Sequence, residues 1–413
     1  MASSQYPEDN SSTDAYEDDY DYYEKKKARK PKRHYGGVVS TIVIIAIILI
    51  LLLLVANPGF REAVRNLFNP DVGGYREYPE WADYEVERRI TLTPNPPGSA
   101  MDYEVDIPIP EDIPNSTDPW LQDVKSVVSN RDRTEIKYPE KRYNYTWMIW
   151  EGNDVRSSRT LTIRYSIYTE SAVWNVDPSE SGTVDDVPKL LADKHGNKTK
   201  EEWVILPALP QIQSLSNQLT SGKITVYDKL RAIFDYLNDN FEYETRGGGP
   251  KYCNETLSDR SGDCDDQSVL FISLARAAGI PSWLEFGALY NQQKKSWGGH
   301  AWIRAYIPYF SGGGHVFNID IVNDHFLFRD AFRFSEWESD GNGSHLKDYY
   351  YTYGRNFRYD ESYTTISMEK SPKTIKIAEN GRPIEESIPG FEGVLVVSAI
   401  VFMAILMRRK REF

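Results

Sequence analysis

Apolar and polar positions alternate along "RRITLTPNPPGSAMDYEVDIPIP", "TWMIWEG" and "RTLTIRYSIYTE", with Pro, Gly and Asn breaking the runs. A period of two marks strands that bury one face, so residues 85–205 read as a β-rich, β-sandwich-like domain. Near Leu206 the period lengthens. "LPQIQSLSNQLTSG" and "TVYDKLRAIFDYLNDNFEYE" carry apolar residues at helical spacing, with Tyr227, Leu230, Ile233, Phe234 and Leu237 on one face. "VLFISLARAAG" is apolar nearly all round, which predicts a helix buried on several sides. Ser261 or Asp263 is placed to cap it, Asp265 and Asp266 complement its positive end, and Gly279 with Pro281 stops it.

Two runs are apolar throughout. Val38–Ala56 holds nineteen residues without a charge, enough to cross a hydrocarbon layer, and "KKKARKPKRH" precedes it. A second run, Gly393–Met407, is followed by "RRKREF". Basic residues stay on the cytoplasmic side, so both ends predict one topology, with residues from about 57 to 388 outside the cell. The expected organisation is a disordered cytoplasmic tail (1–37), a transmembrane helix (38–56), a linker (57–84), the β-rich domain (85–205), an α+β catalytic domain (206–345), a C-terminal extension (346–388) and a terminal apolar segment (389–413). Sequons at Asn115, Asn144, Asn197, Asn254 and Asn342 are compatible with a glycosylated outer face. A net charge of −13 and the lack of a long basic face argue against a nucleic-acid partner.

Candidate chemistry begins with the two cysteines. Cys264 opens the buried helix, where free N–H groups and the dipole favour a thiolate, although the neighbouring aspartates oppose it. In "GGHAWIRAYIP", His300, Trp302, Arg304 and Tyr306 share one strand face. A hairpin closing near Tyr306 and Gly314 would set Asp320 of "FNIDIV" opposite His300. Cys264 would then attack, His300 would take its proton and Asp320 would fix the imidazole tautomer. A disulfide between Cys253 and Cys264 is the competing reading, since an outer compartment permits one. Asp265 and Asp266 read as capping carboxylates, because a calcium loop's Gly and distal Glu are missing. His315 and His325 read as loop or surface residues, and the Trp302, Arg304, Tyr306 stripe as strand packing. No metal or cofactor is expected.

Residues from about 225 to 325 resemble the transglutaminase-like superfamily, whose core has the papain-like cysteine protease fold. The resemblance runs in order through "KLRAIFDYLNDNFEYE", "GDCDDQSVLFISLARAAGIP", "GGHAWIRAYI" and "FNIDIV". It implies Cys264, His300 and Asp320 as the catalytic set, with Gly262, Arg276, Gly279, Ile280, Pro281 and Trp302 at motif positions. Members often read Asp-Pro-Thr after the aspartate, whereas this chain reads "DIVND". The oxyanion donors are expected among the Cys264 backbone N–H, Trp297 and Trp302. Resemblance implies action on amide or peptide bonds of a protein or peptide at the cell surface, hydrolysis first. A cross-linking acyltransferase and a non-catalytic binding module remain alternatives. Separately, Pro389, Gly390 and Phe391 before the last apolar run and Arg408–Arg411 resemble an archaeal C-terminal sorting signal, which implies a surface protein processed by an archaeosortase; a plain second anchor is the alternative.

Overall fold

The computed structural model describes residues 75–114, 121–137, 145–196, 204–245, 249–341, 346 and 352–378. Both expected spans, and Asn115, Asn144, Asn197 and Asn342, lie outside the described residues. Among the described residues no helix is long and apolar enough to cross a membrane. Asn254 is partly exposed in the first turn of a short helix.

In chain order the first strands are β1 (Tyr75–Pro79), β2 (Trp81–Pro94), β3 (Met101–Pro108), β4 (Gln122–Ser129), β5 (Thr134–Lys137), β6 (Thr146–Val155), β7 (Arg159–Glu170) and β8 (Ala172–Val173). There follow α1 (Lys189–His195), α2 (Pro210–Thr220), α3 (Val226–Asn240), β9 (Glu242–Tyr243), α4 (Cys253–Asp259), β10 (Ser261–Gly262) and α5 (Cys264–Ala277). The rest are β11 (Ser282–Asn291), β12 (Ser296–Pro308), β13 (Gly314–Asp320), β14 (His325–Phe326), β15 (Phe328–Arg329), β16 (Arg333–Ser339), β17 (Thr352–Arg355), β18 (Phe357–Lys370) and β19 (Thr374–Ala378).

The alternation in β2 is realised as burial. Ala82, Tyr84, Val86, Ile90 and Leu92 point inward while their neighbours stay partly exposed. The β-rich region is two four-stranded antiparallel sheets, ordered β18-β2-β7-β4 and β17-β3-β6-β5. Its limits differ from those expected. β2 starts at Trp81, and the segment read as a separate extension supplies β17 and β18, which pair with β3 and β2. β1 pairs with β19, so the two ends of the described chain meet.

The second half is an antiparallel sheet, β14-β13-β12-β11-β16, against which α5 packs. Every residue of α5 from Asp265 to Arg276 is buried, as an all-round apolar helix requires. Burying each of its Leu, Ile and Phe side chains contributes about 1.5–3 kcal/mol. The helix stops as expected: Gly279 has φ +83°, its N–H donates to Arg276 O, and Ile280 N–H donates to Ala275 O. That is the Schellman pattern, for which glycine is the least strained residue.

The β-rich sheets are docked onto this core by aromatic side chains. Tyr84 lies 4.8 Å from Trp297 between ring centroids, Tyr165 lies 5.2 Å from Phe334, and Trp147 lies 5.4 Å from Trp337. An inward charge crosses the same boundary. Arg88 of β2, fully buried, pairs with Glu336 of β16 at 3.1 Å and Glu361 of β18 at 2.5 Å.

Gly287 of β11 sits opposite His300 of β12, and a Cβ there would fall 1.9 Å from the Phe334 carbonyl oxygen. At Gly299 a Cβ would meet nothing within 4 Å. Gly287→Ala is therefore expected to lower unfolding stability by about 1–3 kcal/mol. Gly299→Ala should stay within about 0.5 kcal/mol. Urea unfolding of both variants checks the contrast, and equal effects would contradict the close approach of β16 to β11 at Gly287.

Candidate active site

Cys264 is placed by the way α5 begins. β9 and β10 form a two-residue parallel pair that lays the exit of α3 beside the start of α5. Gly262 is required there, because a Cβ would lie 2.5 Å from Asp266 Cβ. The first turn of α5 then ties down the preceding loops. Gln267 Nε2 donates to Gly262 O at 2.9 Å and to Glu242 O at 3.2 Å, while Lys251 N–H donates to Asp266 Oδ1 at 2.7 Å. Asp263 occupies the N-cap position but makes no side-chain capping bond, whereas Asp266 accepts from the Asp263 backbone N–H as well as from Lys251 N–H, and Asp265 Oδ1 accepts from the Asp266 N–H at 3.0 Å, so both act on the first turn as expected.

Cys253 and Cys264 are both free thiols, which sets aside the disulfide. Cys253 is buried, with its sulfur 4.0 Å from Leu206 O. Cys264 is partly exposed. Its thiol is not lowered as the helix terminus alone predicts. Burial of the sulfur, then the charges of Asp265 and Asp263, push it well above the usual thiol range. One contact opposes them: the sulfur lies against the backbone N–H of Ala301, the residue after His300. That contact puts the start of α5 against the part of β12 that carries the histidine.

Asp263, Asp265 and Asp266 present oxygens within 4.8 Å of one another. Burial, then hydrogen bonding to Asp263, pushes the Asp265 carboxyl well above the usual carboxylate range and favours its neutral form. Asp266 is raised chiefly by burial, with Lys251 opposing from 3.8 Å. A neutral Asp265 and a lysine thus make the cluster tolerable beside a thiol.

His300 Nε2 lies 2.8 Å from Asp320 Oδ2, and both residues are buried. The expected pairing of the two holds, but through a different register. β12 and β13 pair Ile303 with Ile319 and Tyr306 with Val316, so Asp320 falls beyond the end of that ladder, diagonal to His300 and not opposite it. A carboxylate beside an imidazole Nε2 accepts its proton, which leaves Nδ1 as the ring nitrogen with a free lone pair. Asn323 Nδ2 lies 2.8 Å from Asp320 Oδ2 and 3.2 Å from His300 Nε2. With Nε2 protonated, its amide donates to the carboxylate. The "DIVND" departure thus supplies its own support for Asp320. Burial would raise the Asp320 carboxyl, but His300 and Arg333 outweigh it and hold it far below the usual carboxylate range.

Several of these supports were missed in the sequence. Arg333 lies 2.9 Å from Asp320 and 2.5 Å from Asp330. His325, expected at the surface, is buried and bonds the Tyr78 hydroxyl at 2.8 Å and Arg333 at 3.2 Å. His315 is exposed, as expected. The only hint of Arg333 is a charged residue inside the apolar strand "FRFSEWES".

Neither tryptophan offers a free donor. Trp297 N–H donates to Thr365 Oγ1 at 3.1 Å, and its ring packs among Tyr84, Tyr290 and Phe334. Trp302 N–H donates to Glu285, a buried carboxylate that also accepts from Asn318 at 2.7 Å and Ser335 at 2.7 Å and lies 3.4 Å from Arg304. Both are corrected from oxyanion candidates to packing and network residues. The Trp302, Arg304 stripe is a buried polar network, not ordinary strand packing.

Residues 213–316 match the Transglutaminase-like superfamily, a span that holds Cys264 and His300 and stops short of Asp320. This segment is similar to that superfamily over about a quarter of the chain. The uncharacterized protein YebA of Bacillus subtilis is 27% identical over 183 residues, covering 38% of this chain and 23% of that protein, so the chain spans about a quarter of that relative. A crystal structure of a candidate cysteine protease from Cytophaga hutchinsonii superposes with a TM-score of 0.51 at 17% identity, over 72% of this chain and 95% of that one. At that identity the likeness speaks for the fold alone, and its coverage takes in the β-rich region as well as the core.

The raised Asp265 carboxyl carries a stability consequence. Its folded-state pKa lies above the unfolded value of about 3.9, so its contribution is complete below that pH and is lost as pH rises through the folded value. Asp265→Asn should therefore flatten the decline in Tm between pH 4 and 8 by about 2 °C or more, measured by scanning calorimetry. Parallel profiles for the two proteins would contradict the neutral carboxyl.

Proposed function

We propose that the chain is a cysteine enzyme of the transglutaminase-like class that cleaves amide or peptide bonds in proteins or peptides. The observation that carries the reading is the buried Asp320 carboxylate at 2.8 Å from His300 Nε2, on a strand whose next backbone N–H faces Cys264 sulfur. His300 Nδ1 takes the thiol proton as sulfur attacks the carbonyl carbon. The C–N bond breaks with proton return to the leaving amine, and an acyl-enzyme results. Water, activated by the same imidazole, resolves it to a carboxylate. An amine in place of water would give cross-linking. The Cys264 backbone N–H, at the start of α5, is the donor best situated for the oxyanion.

A thiol held above its usual range is consistent with this scheme. Neutral until substrate arrives, it deprotonates only as the imidazolium forms. The same observation favours a second reading, in which the fold serves as a binding module and the thiol stays inert. We also place the enzyme, as part of the proposal, on the outer face of a membrane. The apolar run at 38–56 is its anchor, and the Pro-Gly-Phe segment is a processing site at which an archaeosortase-like enzyme removes the run at 393–407, with a plain second anchor as the alternative.

Purified full chain, incubated with a protein substrate library and read by mass spectrometry of new termini, tests the reading. Cys264→Ala should keep the wild-type Tm within a few degrees, His300→Ala should fold with a lowered Tm because it leaves the buried Asp320 short of a partner, and both should lose at least about 10³-fold in cleavage rate. Undiminished cleavage by either variant would overturn the assignment, and binding without cleavage by the wild type would favour the module.

A further inference from the structure

Arg333 opens β16 with its side chain fully buried, and four groups converge on it. Asp330 Oδ2 accepts from Nε at 2.8 Å and from Nη2 at 2.5 Å, and Asp320 Oδ2 lies 2.9 Å from Nη2. His325 Nδ1 lies 3.2 Å from Nη2, and the Trp302 ring lies 5.0 Å from the guanidinium carbon. One cation therefore bridges the carboxylate that holds His300 and a second carboxylate with no part in the chemistry. Two N–H groups of the guanidinium converge on one Asp330 oxygen, whose other oxygen accepts from the Phe332 N–H, and the guanidinium so held fixes Asp320 in turn.

We propose that Arg333 is a positioning residue for the Cys264 and His300 pair, and that the balance between Arg333 and Asp330 sets the pH at which the pair takes up its proton. The inference rests on the reading of Cys264, His300 and Asp320 as the reacting set. A buried cation beside Asp320 partly cancels the field that the carboxylate exerts on His300, so removing it strengthens proton binding there. Removing Asp330 does the opposite. It leaves Arg333 to Asp320 alone and weakens proton binding.

Other titratable groups face the site, among them Tyr243 of β9, which burial and then the Cys264 sulfur push upward. Arg76 of β1 holds Asp324 at 3.0 Å and Asn323 O at 2.9 Å on the solvent side. Tyr78 of β1 bonds His325, whose titration burial chiefly pushes down to about 4, with Asp330 opposing and Arg333 adding to the push. His325 thus stays neutral through the working range. Asp263 and Asp265 flank Cys264 from α5, and Arg329 lies near Arg333 within the Glu285 network. Arg76, Asp263, Asp265 and Arg329 are kept in the variants below, whereas His325 loses the push of Arg333 in Arg333→Gln and the opposing charge of Asp330 in Asp330→Asn, so each variant is also read in a His325→Gln background.

The readout needs no substrate. The rate of Cys264 alkylation by iodoacetamide on the full chain, followed by peptide mass spectrometry from pH 4.5 to 9, reports the protonation of the pair. Arg333→Gln should move the acid limb of that profile up by about one pH unit, and Asp330→Asn should move it down by about half a unit. Arg333→Lys, which keeps the charge and loses the fork, should leave the limb in place and lower the alkylation rate severalfold. Should Arg333→Gln fail to fold, as its Tm would reveal, the Asp330→Asn and Arg333→Lys arms decide. A limb that does not move in Asp330→Asn, or that moves the same way in both charge variants, overturns the proposal. The underlying reading fails separately, through a wild-type profile that His300→Ala leaves unchanged.

Discussion

The candidate site depends on one buried anion. Asp320 is almost wholly removed from water, and a carboxylate in that position is tolerable only when positive charge and hydrogen-bond donors surround it. Three elements supply them: His300 from β12, Asn323 from the turn after β13, and Arg333 from β16. Breaking such an arrangement from one side costs about 3–5 kcal/mol, because the charge left behind has nowhere to go. The histidine is therefore held in place by the same forces that keep the sheet assembled. That is how a fold converts stability into the orientation of one ring.

β1 and the β-rich sheets take part in this holding. Tyr78 reaches His325, Arg76 reaches the Asn323 and Asp324 turn, and Gln122 of β4 reaches Ser335 beside the Glu285 network. The matched segment, 213–316, contains neither Asp320 nor Arg333, nor Arg76, Tyr78, Gln122, Asn323, His325 or Ser335. A transglutaminase-like core cut at those limits would lose the partners that fix its histidine. The β-rich sheets are accordingly part of the site's support, which gives a physical reason for the likeness to the Cytophaga hutchinsonii structure to extend beyond the core.

Local pattern made the helices and their ends readable. The stop at Gly279 needs a left-handed residue, and the buried stretch before it is apolar on every face. The order Cys264, His300, Asp320 was readable from resemblance and from strand alternation. What stayed hidden is pairing at long range. Alternation in "RYDESYTTISMEK" says that a strand exists, and nothing in it says that Phe357 lies beside Pro94. The hairpin register was misjudged by two residues for a similar reason, since loop length limits pairing without fixing it. Arg333, His325 and Glu285 were illegible because a buried charge is explained only by partners from other strands. Trp297 and Trp302 looked available for chemistry because their indole partners, Thr365 and Glu285, are likewise distant in sequence.

The central claim is that Asp320 holds His300 with its proton on Nε2, leaving Nδ1 to accept from Cys264. Nitrogen NMR of the full chain labelled with ¹⁵N-histidine, with the His300 signals assigned by their loss in His300→Gln, reads the tautomer directly. At neutral pH the account predicts a protonated Nε2 and a bare Nδ1 for His300, with Asp320→Asn scrambling the two. A His300 ring protonated on Nδ1, or a tautomer unaffected by Asp320→Asn, would contradict it.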